Sequence, residues 1–116
     1  MARILFADSE PHIRQLCLEE LQDEGYEVRV AGRAEDLVRL TETFQPDMVI
    51  LEMRLPDMSG LEAGRMIKGT NRKTRVILHS FSPPPQDLCN CGADDFVVKS
   101  FNLDRLKAAV RRFLPV

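Results

Sequence analysis

Four apolar runs in this 116-residue chain each end in a polar residue that could do phosphate or acid–base chemistry. These residues are Asp8, Glu52, Ser80 and Lys99. Continuous apolar runs are typical of strands buried on both faces of a parallel sheet, and open α/β sheets place their ligand sites at the carboxyl ends of such strands. Two carboxylates, a hydroxyl and an ammonium in one pocket would suit phosphoryl transfer, because fixed cations stabilise the negative charge that develops.

The elements that must position these residues can be predicted from the spacing of the apolar positions. Strands are predicted at residues 3–7, 27–31, 48–53, 76–80 and 95–99. Helices are predicted from about Glu10 to Gly25, from Ala34 to Phe44, from the capping box Ser59-Gly60-Leu61-Glu62, and from about Asn102 as an N-cap. Alternating strands and helices indicate repeated βαβ units. The predicted fold class is therefore α/β, a doubly wound five-stranded parallel sheet in a single domain spanning 1–116.

Composition excludes several kinds of partner and site. The chain has 16 basic and 18 acidic residues, a formal charge of -2, which gives no electrostatic footprint for nucleic acid or an anionic membrane. No apolar stretch has the length of a signal peptide core or a bilayer span, so a cytoplasmic location is expected. Cys17, Cys89 and Cys91 are odd in number and lack zinc-site spacing, which favours reduced thiols over disulfides or a structural metal.

Three segments of the chain resemble the receiver domains of two-component response regulators. They are residues 4–11 (ILFADSEP), 46–60 (PDMVILEMRLPDMSG) and 92–101 (GADDFVVKSF). The resemblance implies a flavodoxin-like (βα)5 fold with strand order 2-1-3-4-5. It also implies a site in which an aspartate ending the third strand accepts a phosphoryl group from a histidine kinase. That family's site is assisted by Mg²⁺, an acidic pair after the first strand, a Ser or Thr after the fourth, and a Lys after the fifth.

Two substitutions depart from this pattern, since Glu52 stands at the phosphoacceptor position and Ser9 at the second acidic position. Glu52 carries its carboxylate more than a bond length further out than aspartate, and misplacement by about 1 Å can cost a hundredfold in rate. Glu52 could pair with Lys99 as a mimic of the phosphorylated state, or neutralise Lys99 in a fixed pocket. The fixed pocket is favoured, because one carboxylate lacks the charge and the third oxygen of a phosphoryl group.

Ser9 also weakens the expected metal site. Mg²⁺ prefers carboxylate and water oxygens, and a hydroxyl replaces one carboxylate here. We therefore expect no cofactor, or at most a weak Mg²⁺ site formed by Asp8 and Glu52. The alternative interpretation of Ser9 is a plain N-cap of the first helix.

Four further positions follow from the resemblance. Ser80 fits the switch hydroxyl, and Phe96 matches an aromatic that moves with it, although ordinary core is the favoured interpretation of Phe96. Arg54 could pair with Asp8 or Glu52 as a built-in cation, or remain solvated. Ser100 replaces an expected cis-proline after Lys99, which leaves a trans or a strained cis bond at this position.

The function predicted from these residues is that of an atypical receiver, a pseudo-receiver that acts as a protein-interaction module and not as an enzyme. Its partners would be a histidine kinase or a downstream signalling protein. The alternative is a receiver still switched by weak phosphorylation, or by a metal or ligand in the altered pocket. The proline-rich segment 81–91 predicts that the family's fourth helix is shortened or missing, which would alter the surface presented to partners.

Overall fold

Five parallel strands and four helices form the part of the chain that the computed structural model describes, residues 1–83, 92–100 and 102–115. The elements are β1 (Arg3–Ala7), α1 (Pro11–Asp23), β2 (Glu27–Ala31), α2 (Ala34–Phe44), β3 (Met48–Glu52), α3 (Gly60–Thr70), β4 (Arg75–Ser80), β5 (Asp95–Val98) and α4 (Asp104–Phe113). The sheet order is β2-β1-β3-β4-β5, and each neighbouring pair is parallel. The predicted fold class and strand order are confirmed.

The element bounds differ slightly from those predicted. The last helix begins at Asp104 with Leu103 as its N-cap, one residue after the predicted N-cap Asn102, whose side chain accepts a hydrogen bond from the Asp104 N–H. The predicted shortening of the family's fourth helix falls on the segment 81–91, and residues 84–91 of that segment, with Cys89 and Cys91, lie outside the described residues. Within the described ranges, no helix is long and apolar enough to cross a membrane.

Two layers of buried side chains cover the two faces of the sheet. One layer joins the sheet to α2 and α3 and includes Leu5, Ala7, Leu37, Phe44, Val49, Leu51, Ile67, Val76 and Leu78. The other joins the sheet to α1 and α4 and includes Ile4, Phe6, Cys17, Leu21, Met48, Ile50, Ile77, Val97, Leu106 and Val110. Strand side chains alternate between the faces, so residues two positions beyond Phe6, Ile50, Ile77 and Val97 share the face covered by α1 and α4.

Gly60 is required where α3 begins against the end of β3. A Cβ at this position would lie 2.2 Å from the Glu52 carbonyl oxygen, which is backbone and has little freedom to move. We expect Gly60→Ala to destabilise the fold by about 1–3 kcal/mol through overpacking. Gly69→Ala is the matched control, because a Cβ there meets nothing within 4 Å, and it should stabilise α3 by roughly 0.5–1 kcal/mol. Urea denaturation would contradict this account if the two variants shifted stability in the same direction.

Candidate functional site

A lysine lies between two carboxylates at the carboxyl end of the sheet. Lys99 Nζ is 2.6 Å from Asp8 Oδ2 and 3.3 Å from Glu52 Oε1. Asp8 is completely buried, Lys99 is 7% exposed, and Glu52 is half-buried. All three side chains lie on the face of the sheet that α1 and α4 cover, as the alternation of strand side chains requires. The cluster therefore brings two carboxyl groups and one ammonium group together at a largely buried position.

Asp8 is held by contacts on its two oxygens that differ in kind. Oδ1 accepts a hydrogen bond of 2.9 Å from the Glu10 N–H. Oδ2 forms a short ion pair with Lys99 Nζ at 2.6 Å. Burial raises the pKa of the Asp8 carboxyl and outweighs the opposing effects of Lys99 and the Glu10 N–H. Lys99 therefore stabilises the ionised form of Asp8, which burial alone destabilises.

Ser9 holds Glu52 through two donors on the same oxygen. The Ser9 N–H and the Ser9 hydroxyl each donate to Glu52 Oε2 at 2.8 Å. Burial opposes the ionisation of Glu52, but the two Ser9 hydrogen bonds, followed by Lys99, outweigh it and lower the pKa of this carboxyl. The alternative interpretation of Ser9, a plain N-cap of the first helix, is wrong. Glu10 takes that position, and its side chain accepts from the His12 N–H.

Phe81 covers part of the ammonium from the solvent side. Its ring centroid lies 5.3 Å from Lys99 Nζ, which is within cation–π range, and the residue is 69% exposed. The Lys99 N–H donates to the Ser80 carbonyl oxygen at 2.7 Å, which fixes the backbone on which the ammonium is carried. The Lys99 head group is therefore surrounded by two carboxylates and an aromatic face.

Comparison with known proteins decides the family. The profile of the response regulator receiver domain matches residues 4–111. The chain belongs to this family. It is the receiver domain of a two-component response regulator, with the flavodoxin-like topology that its chemotaxis-protein neighbours share.

Individual relatives support the same assignment. The response regulator TrrA of Thermotoga maritima, solved in complex with Mg²⁺-BeF, is 40% identical over 97% of this chain and 99% of its own, with a TM-score of 0.91. TrrA in complex with histidine kinase ThkA gives 41% identity, 98% and 99% coverage and a TM-score of 0.90. KdpE of Mycobacterium tuberculosis is 35% identical over 97% of this chain and 52% of its own length. This receiver spans about half the length of the curated relatives KdpE, TcrX and PdtaR, and a quarter of that of AtoC.

The other predicted site residues of the receiver lie around the cluster without joining it. Ser80 is buried, and its hydroxyl accepts a hydrogen bond of 3.1 Å from the Ser82 N–H and forms none with Glu52. Phe96 is partly buried and packs against the α2/α3 core layer. Arg54 is exposed and forms an ion pair with neither Asp8 nor Glu52. The peptide bond between Lys99 and Ser100 is trans.

Sequence reasoning missed Asp57 as a residue that joins the loop after β3 to the start of α2. Its two carboxylate oxygens accept the N–H groups of Ala34 and Glu35 at 2.7 and 2.9 Å. These hydrogen bonds lower the pKa of Asp57. Asp57 therefore caps the first turn of α2, whose own N-cap residue, Arg33, makes no side-chain cap, and ties the β3–α3 loop to α2. No local signal predicts this contact, because the cap comes from a loop 22 to 23 residues later in the chain.

His79 is a buried imidazole beside the site. It is the register partner of Glu52, is 3% exposed, and packs edge-on against Phe6 with centroids 5.8 Å apart. Its Nδ1 has no hydrogen-bond partner among the described residues. Burial, reinforced by the charge of Lys99, lowers the pKa of His79 to about 4, although Glu52 opposes the shift.

This histidine should make the receiver sensitive to acid. The folded state keeps the imidazole neutral, whereas the unfolded chain binds a proton below its ordinary pKa of 6.5, so stability falls as the pH drops from 6.5 to about 4. The shift corresponds to about 3 kcal/mol. His79→Leu should lose that much less stability than the natural chain over this interval, as measured by urea denaturation. Equal losses in both proteins would contradict the assignment.

Proposed function

We propose that this receiver is a pseudo-receiver that works as a protein-interaction module without ordinary phosphorylation at the end of β3. Its partners would be a histidine kinase or a downstream signalling protein. The complex of ThkA with TrrA supports a protein partner, because TrrA covers 98% of this chain with a TM-score of 0.90. The chain would contribute a binding surface and no catalysis of its own.

The engagement of both Glu52 oxygens carries this proposal. Oε2 accepts two hydrogen bonds from Ser9, and Oε1 faces the Lys99 ammonium at 3.3 Å. A carboxylate that attacks phosphorus must offer an oxygen in line with the leaving group. In this site the lone pairs of Glu52 already serve the protein's own donors, which disfavours that approach.

The same contacts favour a silent pocket over a mimic of the phosphorylated state. A phosphoryl group offers about two charges and three oxygens, whereas Glu52 offers one charge and two oxygens, and its partners here are Ser9 and Lys99. The Ser80 hydroxyl is directed to the Ser82 N–H. Glu52 therefore forms no hydrogen bond with the Ser80 hydroxyl, which is the group expected to bind a phosphoryl oxygen.

The donor set also disfavours a magnesium ion. Asp8 and Glu52 are the residues that would hold one, but the Lys99 ammonium already lies 2.6 and 3.3 Å from their oxygens. Ser9 supplies a neutral hydroxyl that donates to Glu52. In the described part of the chain, no group of three or more acidic, histidine or cysteine side chains is arranged to hold a metal. Mg²⁺ requires nearly octahedral oxygen coordination and retains much of its water, so this site is a poor substitute for it.

Magnesium titration tests the proposal. We expect the natural chain to show no saturable Mg²⁺ binding in the millimolar range near neutral pH, by NMR shifts of the Ser9 and Glu52 amides. The Ser9→Asp, Glu52→Asp variant should bind Mg²⁺ saturably, because two short carboxylates would then join Asp8. Equal affinity in the two proteins would overturn the proposal in favour of a receiver still switched by metal.

A further inference from the structure

One residue of α1, Arg14, bonds to the backbone of the loop that holds Asp8 and Ser9. We propose that Arg14 is a positioning residue that aims the Ser9 N–H at Glu52, and that Gly32 provides the space its guanidinium needs. This inference rests on the proposed function, because it concerns how the Glu52 carboxylate is held. Arg14 forms no ion pair with Glu52 and bonds instead to the Asp8 carbonyl oxygen, so its effect would pass through the backbone.

The first step is a hydrogen bond from the helix to the β1–α1 loop. Arg14 Nη1 donates to the Asp8 carbonyl oxygen at 2.7 Å. Arg14 is half-buried in α1, and its own N–H is bonded to the Glu10 carbonyl oxygen at 3.0 Å. The guanidinium is thus carried on a regular turn of helix and presents a fixed donor to this loop.

The second step follows from the planarity of the peptide group. The Asp8 carbonyl and the Ser9 N–H belong to one peptide plane and point in opposite directions, so fixing the oxygen also fixes the direction of the N–H. That N–H donates to Glu52 Oε2 at 2.8 Å. A cation on the carbonyl also polarises the amide, which strengthens its N–H as a donor to a carboxylate.

The third step concerns the space that Gly32, in the β2–α2 loop, leaves for the Arg14 guanidinium. A Cβ at Gly32 would lie 2.6 Å from Arg14 Nη1 and 3.2 Å from its Cζ. Gly32 has no positive φ, unlike Gly25 and Gly92, so alanine suits its backbone. The atoms that a methyl group would displace are the end of a flexible side chain. Gly32→Ala should therefore move the guanidinium while the charge of Arg14 and the fold are kept.

The test compares the ionisation of Glu52 and the exchange of the Ser9 amide in four variants of the full chain. They are Arg14→Gln, Arg14→Lys, Gly32→Ala and, as a matched control, Arg39→Gln, whose arginine is exposed on α2. Carbon-13 NMR titration reads the pKa of Glu52, and hydrogen exchange reads the hydrogen bond of the Ser9 N–H.

We expect the pKa of Glu52 to rise toward its ordinary value in Arg14→Gln and in Gly32→Ala, with Ser9 amide exchange about tenfold faster in both. Arg14→Lys, which keeps the charge and one donor, should give a smaller change, and Arg39→Gln should give none. Because Gly32→Ala keeps the charge, a shift in that variant cannot come from lost charge alone.

Two kinds of failure are distinguishable. If Ser9→Ala raises the pKa of Glu52 but Arg14→Gln and Gly32→Ala do not, the role of Arg14 is overturned while the proposed function stands. If a phosphodonor labels Glu52 in the natural chain, the proposed function is overturned.

Discussion

The Ser9→Asp, Glu52→Asp double variant is expected to accept a phosphoryl group from a small-molecule phosphodonor in the presence of Mg²⁺. The two natural residues compensate each other, because Ser9 donates two hydrogen bonds to Glu52 where a second acid would repel it. Aspartate at both positions would remove the Ser9 hydroxyl that holds Glu52, and the shorter side chain at position 52 would bring the acceptor oxygen to the position that in-line attack requires. The two carboxylates would also supply acidic ligands for the metal. Labelling should be faster than in the natural chain by at least about a hundredfold. Intact mass spectrometry over time measures this rate.

Single variants and a surface control sharpen the experiment. Ser9→Asp alone should not be labelled, because Glu52 remains at the acceptor position. Glu62→Asp, an identical change at an exposed position on α3, should behave as the natural chain does. If the double variant folds but is not labelled, a further departure from the family pattern prevents phosphorylation. Ser100 and the proline-rich segment 81–91 are the next positions to change.

Lys99→Met is expected to destabilise the fold by about 3–5 kcal/mol near neutral pH. Removing the ammonium leaves Asp8 buried without its counter-ion and Glu52 without its second partner. The Asp8 carboxyl already has a raised pKa because of burial, and losing Lys99 would raise it further. The cost should shrink as the pH falls through the folded pKa of Asp8, because a protonated carboxyl needs no counter-ion. Urea denaturation at several pH values measures both effects.

Lys107→Met is the matched control for this experiment. Lys107 pairs with Glu20 at 3.4 Å between α4 and α1, but its side chain is 21% exposed and that of Glu20 is 37% exposed. Solvent screens such a pair, so its loss should cost about 1 kcal/mol or less. Similar costs for Lys99→Met and Lys107→Met would show that burial of the cluster does not govern its energetics.

The fold was readily predictable because its signals are local. Continuous apolar runs marked the five strands, and Ala34–Phe44 matches its prediction at both ends. The capping box was equally direct, since the Ser59 side chain accepts from the N–H groups of Leu61 and Glu62 at the start of α3. The N-cap of α4 was misplaced by one residue, because the Asn102 side chain accepts the Asp104 N–H as an N-cap side chain would, although Leu103 holds the N-cap position.

The site was predictable only in part because its decisive contacts are between residues far apart in the chain. The grouping of Asp8, Glu52 and Lys99 follows from their places at strand ends. The clamp of Ser9 on Glu52 depends on the exact direction of one peptide N–H, which no spacing encodes. The hydrogen bond from Arg14 to the Asp8 carbonyl oxygen likewise depends on the direction of a side chain, which the sequence spacing does not encode. The sequence therefore predicted which charged residues meet at the site, but it did not predict which groups donate hydrogen bonds to Glu52.

Intact mass of the natural chain after incubation with a small-molecule phosphodonor and Mg²⁺ tests the central claim most directly. A silent pocket predicts no added phosphoryl mass on the natural chain while the Ser9→Asp, Glu52→Asp variant is clearly labelled in parallel. A phosphoryl group on the natural chain, mapped to Glu52, would contradict the account and would show that this receiver still switches by phosphorylation.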